Sequence, residues 1–291
     1  MTTAKPRINI WVMGARPRTL PAAITPVLVA TSLARQDANL ARALLALFVS
    51  LTMQIGVNYA NDYSDGIKGT DADRVGPIRI VASGLARPKE VRNAAFLAFL
   101  SAAVAGLALA AMSSWWIVAV GAVAILAAWY YTGGKSPYGY RGLGEISVFI
   151  FFGLVATMGT YFVQTQKITW SAFLAAVPVG ALSCSLLVIN NIRDLDKDAA
   201  VGKKTLAVRM GDDGSRFFFA MLLLLAHVVA LFVAPWGLIT LALAPISYSL
   251  ARQVNSNMGN LEGAKLIPLL GQTGRLQLLF ALLLSTALLL D

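Results

Sequence analysis

Nine times the chain runs through an apolar stretch long enough, or nearly so, to cross a bilayer. A hydrocarbon core about 30 Å thick needs roughly 20 apolar residues per helix. Few sequence features constrain a fold more tightly, because in lipid every backbone polar group must find its partner within the protein. The stretches are Leu20–Ala34, Leu40–Ala60, Ala94–Met112, Trp115–Thr132, Ile146–Val163, Ala172–Ile192, Phe217–Val233, Leu238–Leu250 and Leu266–Leu290. The first and eighth are short and interrupted by proline, so their ends are the hardest to fix. Only Ser113 and Ser114 separate the third from the fourth, and only Ala234-Pro235-Trp236-Gly237 separates the seventh from the eighth. Both gaps predict tight turns between neighbouring helices. Composition points the same way: 57% of residues are hydrophobic and 13% charged, against about 25% charged in a soluble domain. A soluble enzyme, a disordered chain, a collagen-like chain and a disulfide scaffold are excluded, the last because Cys184 is the single cysteine. Cys184 and the mid-stretch His227 read as packing residues. The short, basic N-terminus, broken by Pro17, Pro21 and Pro26, carries no pattern expected of a cleavable signal peptide.

A net charge of +10 would suggest a nucleic-acid partner if position were ignored. Position argues for a membrane instead. Of the 24 Lys and Arg, only Arg35, Arg42 and Lys167 are assigned to one face and the other 21 to the opposite face, Arg42 and Arg275 being counted from within the second and ninth stretches. The positive-inside rule then predicts a cytoplasmic N-terminus, an external C-terminus at Asp291 and no nucleic acid. Trp115, Trp116, Trp170 and Trp236 mark the expected outer interface, and Trp11 and Trp129 the inner one.

Acidic residues do not orient helices, yet 12 of the 14 sit on the basic face. Two clusters account for much of this. At the end of the second stretch comes Asn58-Tyr59-Ala60-Asn61-Asp62-Tyr63-Ser64-Asp65-Gly66, and at the end of the sixth Asn190-Asn191-Ile192-Arg193-Asp194-Leu195-Asp196-Lys197-Asp198. Asn61 and Asp65, Asn190 and Asp194, and Asp194 and Asp198 are each four apart, on one helix face. Like charges so arranged repel unless a cation joins them. Mg²⁺ favours one or two carboxylates plus phosphate oxygens, so two such mouths facing one cavity would hold a diphosphate. Arg74, Arg79, Lys135, Arg141, Lys203 and Lys204 are candidate diphosphate contacts, some of them serving topology alone. Lys135, Tyr138 and Arg141 lie in the Gly-rich aromatic segment 133–141, suited to both a phosphate and an aromatic substrate, and Lys135 is also a catalytic candidate. Arg18 reads as either a ligand or an anchor. Asn58 and Asn190, heading the two clusters, are candidate substrate contacts. The expected fold is all-α: nine transmembrane helices around a cavity open to the cytoplasmic side. It forms one domain, with similar halves at about 16–132 and 141–250 and a ninth helix at 266–290.

Over nearly its whole length the chain resembles the UbiA superfamily of intramembrane prenyltransferases. That family carries two Asp-rich motifs on the second and sixth of nine helices. Asn61, Asp62 and Asp65 match the first motif, and Asp194 and Asp198 the second. The resemblance implies two Mg²⁺ ions, replaceable by Mn²⁺, held by Asn61, Asp62, Asp65, Asp194 and Asp198, with Asp65, Asp194 and Asp198 essential to catalysis. The third acid of the first motif is missing, with Gly69 in its place. Asp71 is expected to fold back and substitute for it, and Asp73 to orient Arg74. Arg16–Pro21, Asn58–Gly66, Asp73–Pro77 and Asn190–Asp194 are most similar to the branch acting in menaquinone biosynthesis. The implied reaction joins a polyprenyl diphosphate to 1,4-dihydroxy-2-naphthoate with loss of carbon dioxide, at a bacterial plasma membrane. Transfer to 4-hydroxybenzoate, homogentisate or a chlorophyll precursor is the alternative acceptor reading. A cation-coupled transporter is the alternative class.

Overall fold

The computed structural model describes residues 9–70, 76–256 and 263–291, and every regular element among them is helical. A short helix α1 (Ile10–Ala15) leads into α2 (Pro21–Ala34), α3 (Leu40–Lys68), α4 (Pro88–Met112) and α5 (Trp116–Tyr130). A composite rod follows, made of α6 (Gly144–Val148), a π-helical segment (Phe149–Val155) and α7 (Ala156–Thr165). Then come α8 (Trp170–Ala200), α9 (Leu206–Val233), a 3₁₀ segment (Pro235–Leu243), α10 (Ala244–Asn255) and α11 (Leu266–Leu290).

Six of these rods are long and apolar enough to cross a membrane: α3, α4, the composite rod, α8, α9 and the rod ending in α11. The remaining three expected stretches are shorter as helices. α2 has 14 residues and α5 has 15. The eighth is split, because Pro245 lies in the first turn of α10, where its missing N–H is tolerated and its ring cannot continue a preceding helix. The protein is thus an all-helical, polytopic membrane bundle. Its outer surface is what lipid requires: Leu97, Leu100 and Val104 on α4, and Leu224, Val228 and Phe232 on α9, are all exposed.

α8 is the most buried of the long helices and packs on α9, α11, α2 and the π segment. Small residues allow this approach. A Cβ on Gly153 would lie 2.6 Å from the Gly180 Cα, so the two backbones touch as in close-packed transmembrane pairs. Cys184 and His227 pack as expected. The thiol reaches the Glu145 carbonyl at 3.2 Å, and the imidazole Nε2 lies 2.9 Å from Ser247 Oγ. Arg35 and Arg42, two of the three basic residues assigned to the outer face, have structural work there. Arg35 donates to the Leu288 carbonyl and pairs with Asp291; Arg42 donates to the carbonyls of Met112, Val163 and Gln164. They satisfy the last carbonyls of α11, α4 and α7, which have no partner within their own helices.

Depth along α3 and α8 positions the site. Leu40 to Asn61 and Trp170 to Asn190 each span about 30 Å of helix at 1.5 Å per residue, one hydrocarbon thickness. Both acidic clusters therefore lie at the same level, at the end opposite Arg35 and Arg42.

Candidate active site

The first cluster is built by a helix end and a returning loop. α3 runs through Gly66 and stops at Lys68, with Gly69 in the left-handed region at φ 71°. This left-handed turn closes the helix end, the Thr70 N–H donating to the Asp65 carbonyl at 3.1 Å. Farther on, residues 79–83 return against α3, and a Cβ on Gly66 would lie 2.4 Å from Val81 Cγ1. Asp62 holds this return: its carboxylate accepts the backbone N–H of Ile80 at 3.1 Å and of Val81 at 3.0 Å. The effect is to set Arg79 Nη2 at 3.9 Å from Asp65 Oδ2.

The second cluster follows the same plan. Asp194 accepts two hydrogen bonds from its neighbour Arg193, Nε at 2.8 Å and Nη2 at 2.7 Å. One turn later stands Asp198. The left-handed Gly202 (φ 77°) reverses the chain, and the Lys203 N–H donates to the Asp198 carbonyl at 2.8 Å. Lys203 Nζ then lies 3.5 Å from Asp198 Oδ1 and 4.0 Å from Asp65 Oδ2. One buried ammonium thus joins the two clusters across the bundle. Tyr140 completes the junction: its hydroxyl donates to Asp65 Oδ1 at 2.5 Å, and its ring lies 4.6 Å from Lys203 Nζ. Gly139 makes this possible, because a Cβ there would come within 2.7 Å of the Tyr131 carbonyl.

Asp65, Asp194, Asp198, Arg79, Arg193 and Lys203 all line one cavity of about 1160 Å³. Below them it is apolar and reaches Leu109, Trp116 and Val163, near the opposite ends of α4, α5 and α7. A charged mouth above an apolar channel suits an amphiphile with an anionic head and a long tail. Among the described residues no three His, Cys, Asp or Glu side chains form a closed metal cage. The oxygen donors facing the cavity include the carboxylates named and the amides of Asn61 and Asn190. Hard oxygens of this kind fit Mg²⁺, which keeps part of its shell for water and substrate phosphate.

Several expected site residues are placed elsewhere. Asp62 does not line the cavity; its two oxygens accept the backbone N–H groups of Ile80 and Val81 in the returning loop. Lys135 and Arg141 are exposed and outside the cavity wall. Lys204 is exposed too and acts through its backbone, its N–H donating to the Tyr140 carbonyl at 2.8 Å. Asn58 lines the cavity, yet its amide is engaged: Nδ2 donates to the Ala15 carbonyl at 2.8 Å and to Thr19 Oγ1 at 3.0 Å. Asn61 accepts from Thr132 at 2.8 Å. Tyr138 lines the cavity, hydrogen-bonded to the Ala127 carbonyl and Ser147. Burial pushes its phenol pKa up, and the Ser147 bond pulls part of the way back. Asp71, Asp73 and Arg74 lie outside the described residues. Sequence reasoning missed Tyr140, Arg193 and Arg16, all on the cavity wall. Tyr140 sits two residues from the chosen Tyr138, and Arg193 directly precedes Asp194; only the third dimension separates them from their neighbours.

Residues 23–258 match the UbiA prenyltransferase family. The chain belongs to that family. It is 50% identical over 283 residues to 1,4-dihydroxy-2-naphthoate octaprenyltransferase of Mycobacterium tuberculosis, covering 96% of both chains. To the Escherichia coli protein of the same name it is 36% identical, covering 95% of this chain and 94% of that one. Its fold matches a UbiA homolog from Archaeoglobus fulgidus bound to GPP and Mg²⁺, with a TM-score of 0.67, 13% identity, and coverage of 97% and 100% of the two chains. UbiA membership disposes of the transporter alternative.

Proposed function

We propose that this UbiA-family enzyme transfers a polyprenyl group from its diphosphate to 1,4-dihydroxy-2-naphthoate. Carbon dioxide and diphosphate leave, and demethylmenaquinol forms for menaquinone biosynthesis. The geometric observation that carries the prenyl-transfer reading is the Lys203 bridge between Asp65 and Asp198, set over a channel that runs the depth of the bundle. The choice of acceptor, and of an octaprenyl donor, rests on the names of relatives that match along nearly their full length.

In this reading the diphosphate sits at the mouth, where Lys203, Arg79 and Arg193 face it. Mg²⁺, two ions replaceable by Mn²⁺, would be held by Asp65, Asp194 and Asp198 with Asn61 and Asn190 beside them, and would neutralise charge on the leaving diphosphate. Cations already aimed at that charge stabilise the transition state with little reorganisation. Tyr140 holds Asp65 in orientation. The allylic carbon lies just below, in the apolar channel, where water that would capture the cation is excluded. The electron-rich ring attacks that carbon, and its carboxylate departs as carbon dioxide.

The same reading places nine spans in a bacterial plasma membrane, with the N-terminus cytoplasmic and the C-terminus external. The 21-to-3 division of Lys and Arg supports it. So does the gathering of Arg35, Arg42, Met112, Val163 and Asp291 at the end away from the site. Two four-helix halves, about 16–132 and 141–250, would each supply one mouth. The test is purified protein with Mg²⁺, a prenyl diphosphate and a panel of aromatic acids, read by mass spectrometry. A decarboxylated prenyl naphthoquinol supports the assignment; prenylated 4-hydroxybenzoate with no naphthoate product refutes the acceptor.

A further inference from the structure

Behind the cavity wall lies an acid that the reading above does not use. Glu145, in the first turn of α6, is 4% exposed, and its Oε2 has no hydrogen-bond partner among the described residues. A buried polar atom left unpaired is costly, and native structures keep few of them without reason. The other oxygen, Oε1, accepts from Asn191 Nδ2 at 2.8 Å. Asn191 itself lines the cavity, as do Asn190, Tyr131 and Ser147.

The bond fixes which end of the amide meets the substrate. Because Nδ2 donates to Glu145 Oε1, the Asn191 NH₂ stands on the Glu145 side. The amide oxygen is then directed away from Glu145. Asn190 is held likewise, its Nδ2 donating to the Leu186 carbonyl at 2.9 Å. The wall beside the second mouth therefore offers two amide oxygens, which are acceptors for hydroxyl hydrogens.

We infer that Asn191, held by Glu145, is a specificity determinant that accepts a hydrogen bond from a ring hydroxyl of the aromatic substrate, Glu145 being its positioning residue. This deepens the proposed function and rests on it. A site built to hydrogen-bond a hydroxyl rejects an analogue lacking it, because its buried polar group is left unpaired. The recognised group is thus the hydroxyl of a hydroxy-aromatic acceptor, and the prenyl diphosphate has no part in the contact.

The experiment measures KM for the naphthoate acceptor and, separately, for the prenyl diphosphate, in the unaltered protein and in Asn191→Leu, Glu145→Leu, Glu145→Gln and the double Leu variant. Asn191→Leu and Glu145→Leu should each raise the acceptor KM about tenfold, the size of one hydrogen bond lost from a buried site, and leave the diphosphate KM unchanged. The double variant should match Asn191→Leu, because residues acting through one contact are not additive. Glu145→Gln keeps an accepting oxygen and should retain the acceptor KM within about threefold. Asn191→Leu should also lose discrimination against acceptors with one ring hydroxyl removed, a readout available even if Glu145→Leu fails to assemble. An unchanged acceptor KM in Asn191→Leu, or multiplied effects in the double variant, overturns the assignment alone. Absence of any naphthoate turnover by the unaltered protein overturns the proposed function and this inference with it.

Discussion

Replacing Lys203 by Met removes a side chain that touches both acidic clusters. The perturbation is large because Lys203 and Asp65 are buried and Asp198 is mostly covered: side-chain exposure is 9%, 6% and 14%. Removing one partner of a buried ion pair costs about 3–5 kcal/mol, since the remaining charge stays desolvated. Here the contacts of 3.5 and 4.0 Å are longer than a charge-assisted hydrogen bond, and Arg79 still faces Asp65 at 3.9 Å. The expected loss therefore sits at or below the bottom of that range, about 2–3 kcal/mol. With roughly 2–4 °C per kcal/mol for a chain of this order of size, the thermal midpoint should fall by about 4–12 °C in EDTA. Saturating Mg²⁺ should recover most of that fall, because a divalent cation between the carboxylates replaces the lost ammonium. Activity should stay low even then, as the diphosphate has lost a cation. Lys204→Met, one residue along and exposed, is the control and should change neither quantity. The assay is a thermal-shift series in detergent with and without Mg²⁺, beside turnover. If Lys203→Met unfolds like the unaltered protein in EDTA, or if Lys204→Met behaves the same way, the bridge is not what holds the mouths together.

Asp62→Asn should loosen the returning loop and lower stability without changing the Mg²⁺ requirement, whereas Asp194→Asn should abolish most activity while the protein assembles; Mg²⁺ titrations of both variants separate a loop cap from a ligand. Reporter fusions after Ser114 and after Pro235 should both report the external face, and a cytoplasmic signal from either refutes the proposed topology. Gly106, Gly121 and Gly159 line the cavity, and a Cβ on any of them would meet no atom within 4 Å. Leucine at Gly121 or Gly159 should fit without unfolding the protein and block long donors while short ones still react; equal loss for geranyl and octaprenyl diphosphate counts against a tail channel there.

How far the sequence carried depended on whether a property was local. Apolar length and the four-residue spacing of Asp are local, so the helices and the two clusters were legible. The lysine count is local too, but it could not tell Lys203 from Lys204: both follow Gly202, and only the direction of the turn sends one inward. Asp62 shows the opposite failure. It matches the family motif by position, yet the helix turns its carboxylate toward residues 80 and 81, a contact 18 and 19 positions away that no local pattern encodes. Tyr140 was hidden for the same reason. Its partner Asp65 is 75 residues distant, and the close approach that joins them depends on Gly139, which looked like an ordinary turn glycine.

The charge balance of the mouth argues that metal and diphosphate enter together. Arg79, Arg193 and Lys203 pair with Asp65, Asp194 and Asp198, so the cations and carboxylates of these ion pairs cancel. A diphosphate arriving alone would set several negative charges beside three poorly hydrated carboxylates. A divalent cation arriving alone would have to displace an ammonium and two guanidinium groups already engaged with those same acids. Each binds poorly alone for the reason the other supplies, because each brings the charge that offsets the other's repulsion. Lys203 is the group that can serve both states, pairing with the carboxylates before the complex arrives and with phosphate oxygens after it. Prenyl diphosphate affinity should therefore rise with Mg²⁺, and Mg²⁺ affinity should rise by the same factor with prenyl diphosphate, as linkage requires. Titration calorimetry of each ligand in the presence and absence of the other measures both factors. Independent binding of the two would mean that the mouth recognises them at separate places, and the arrangement of Lys203 between the clusters would then need another explanation.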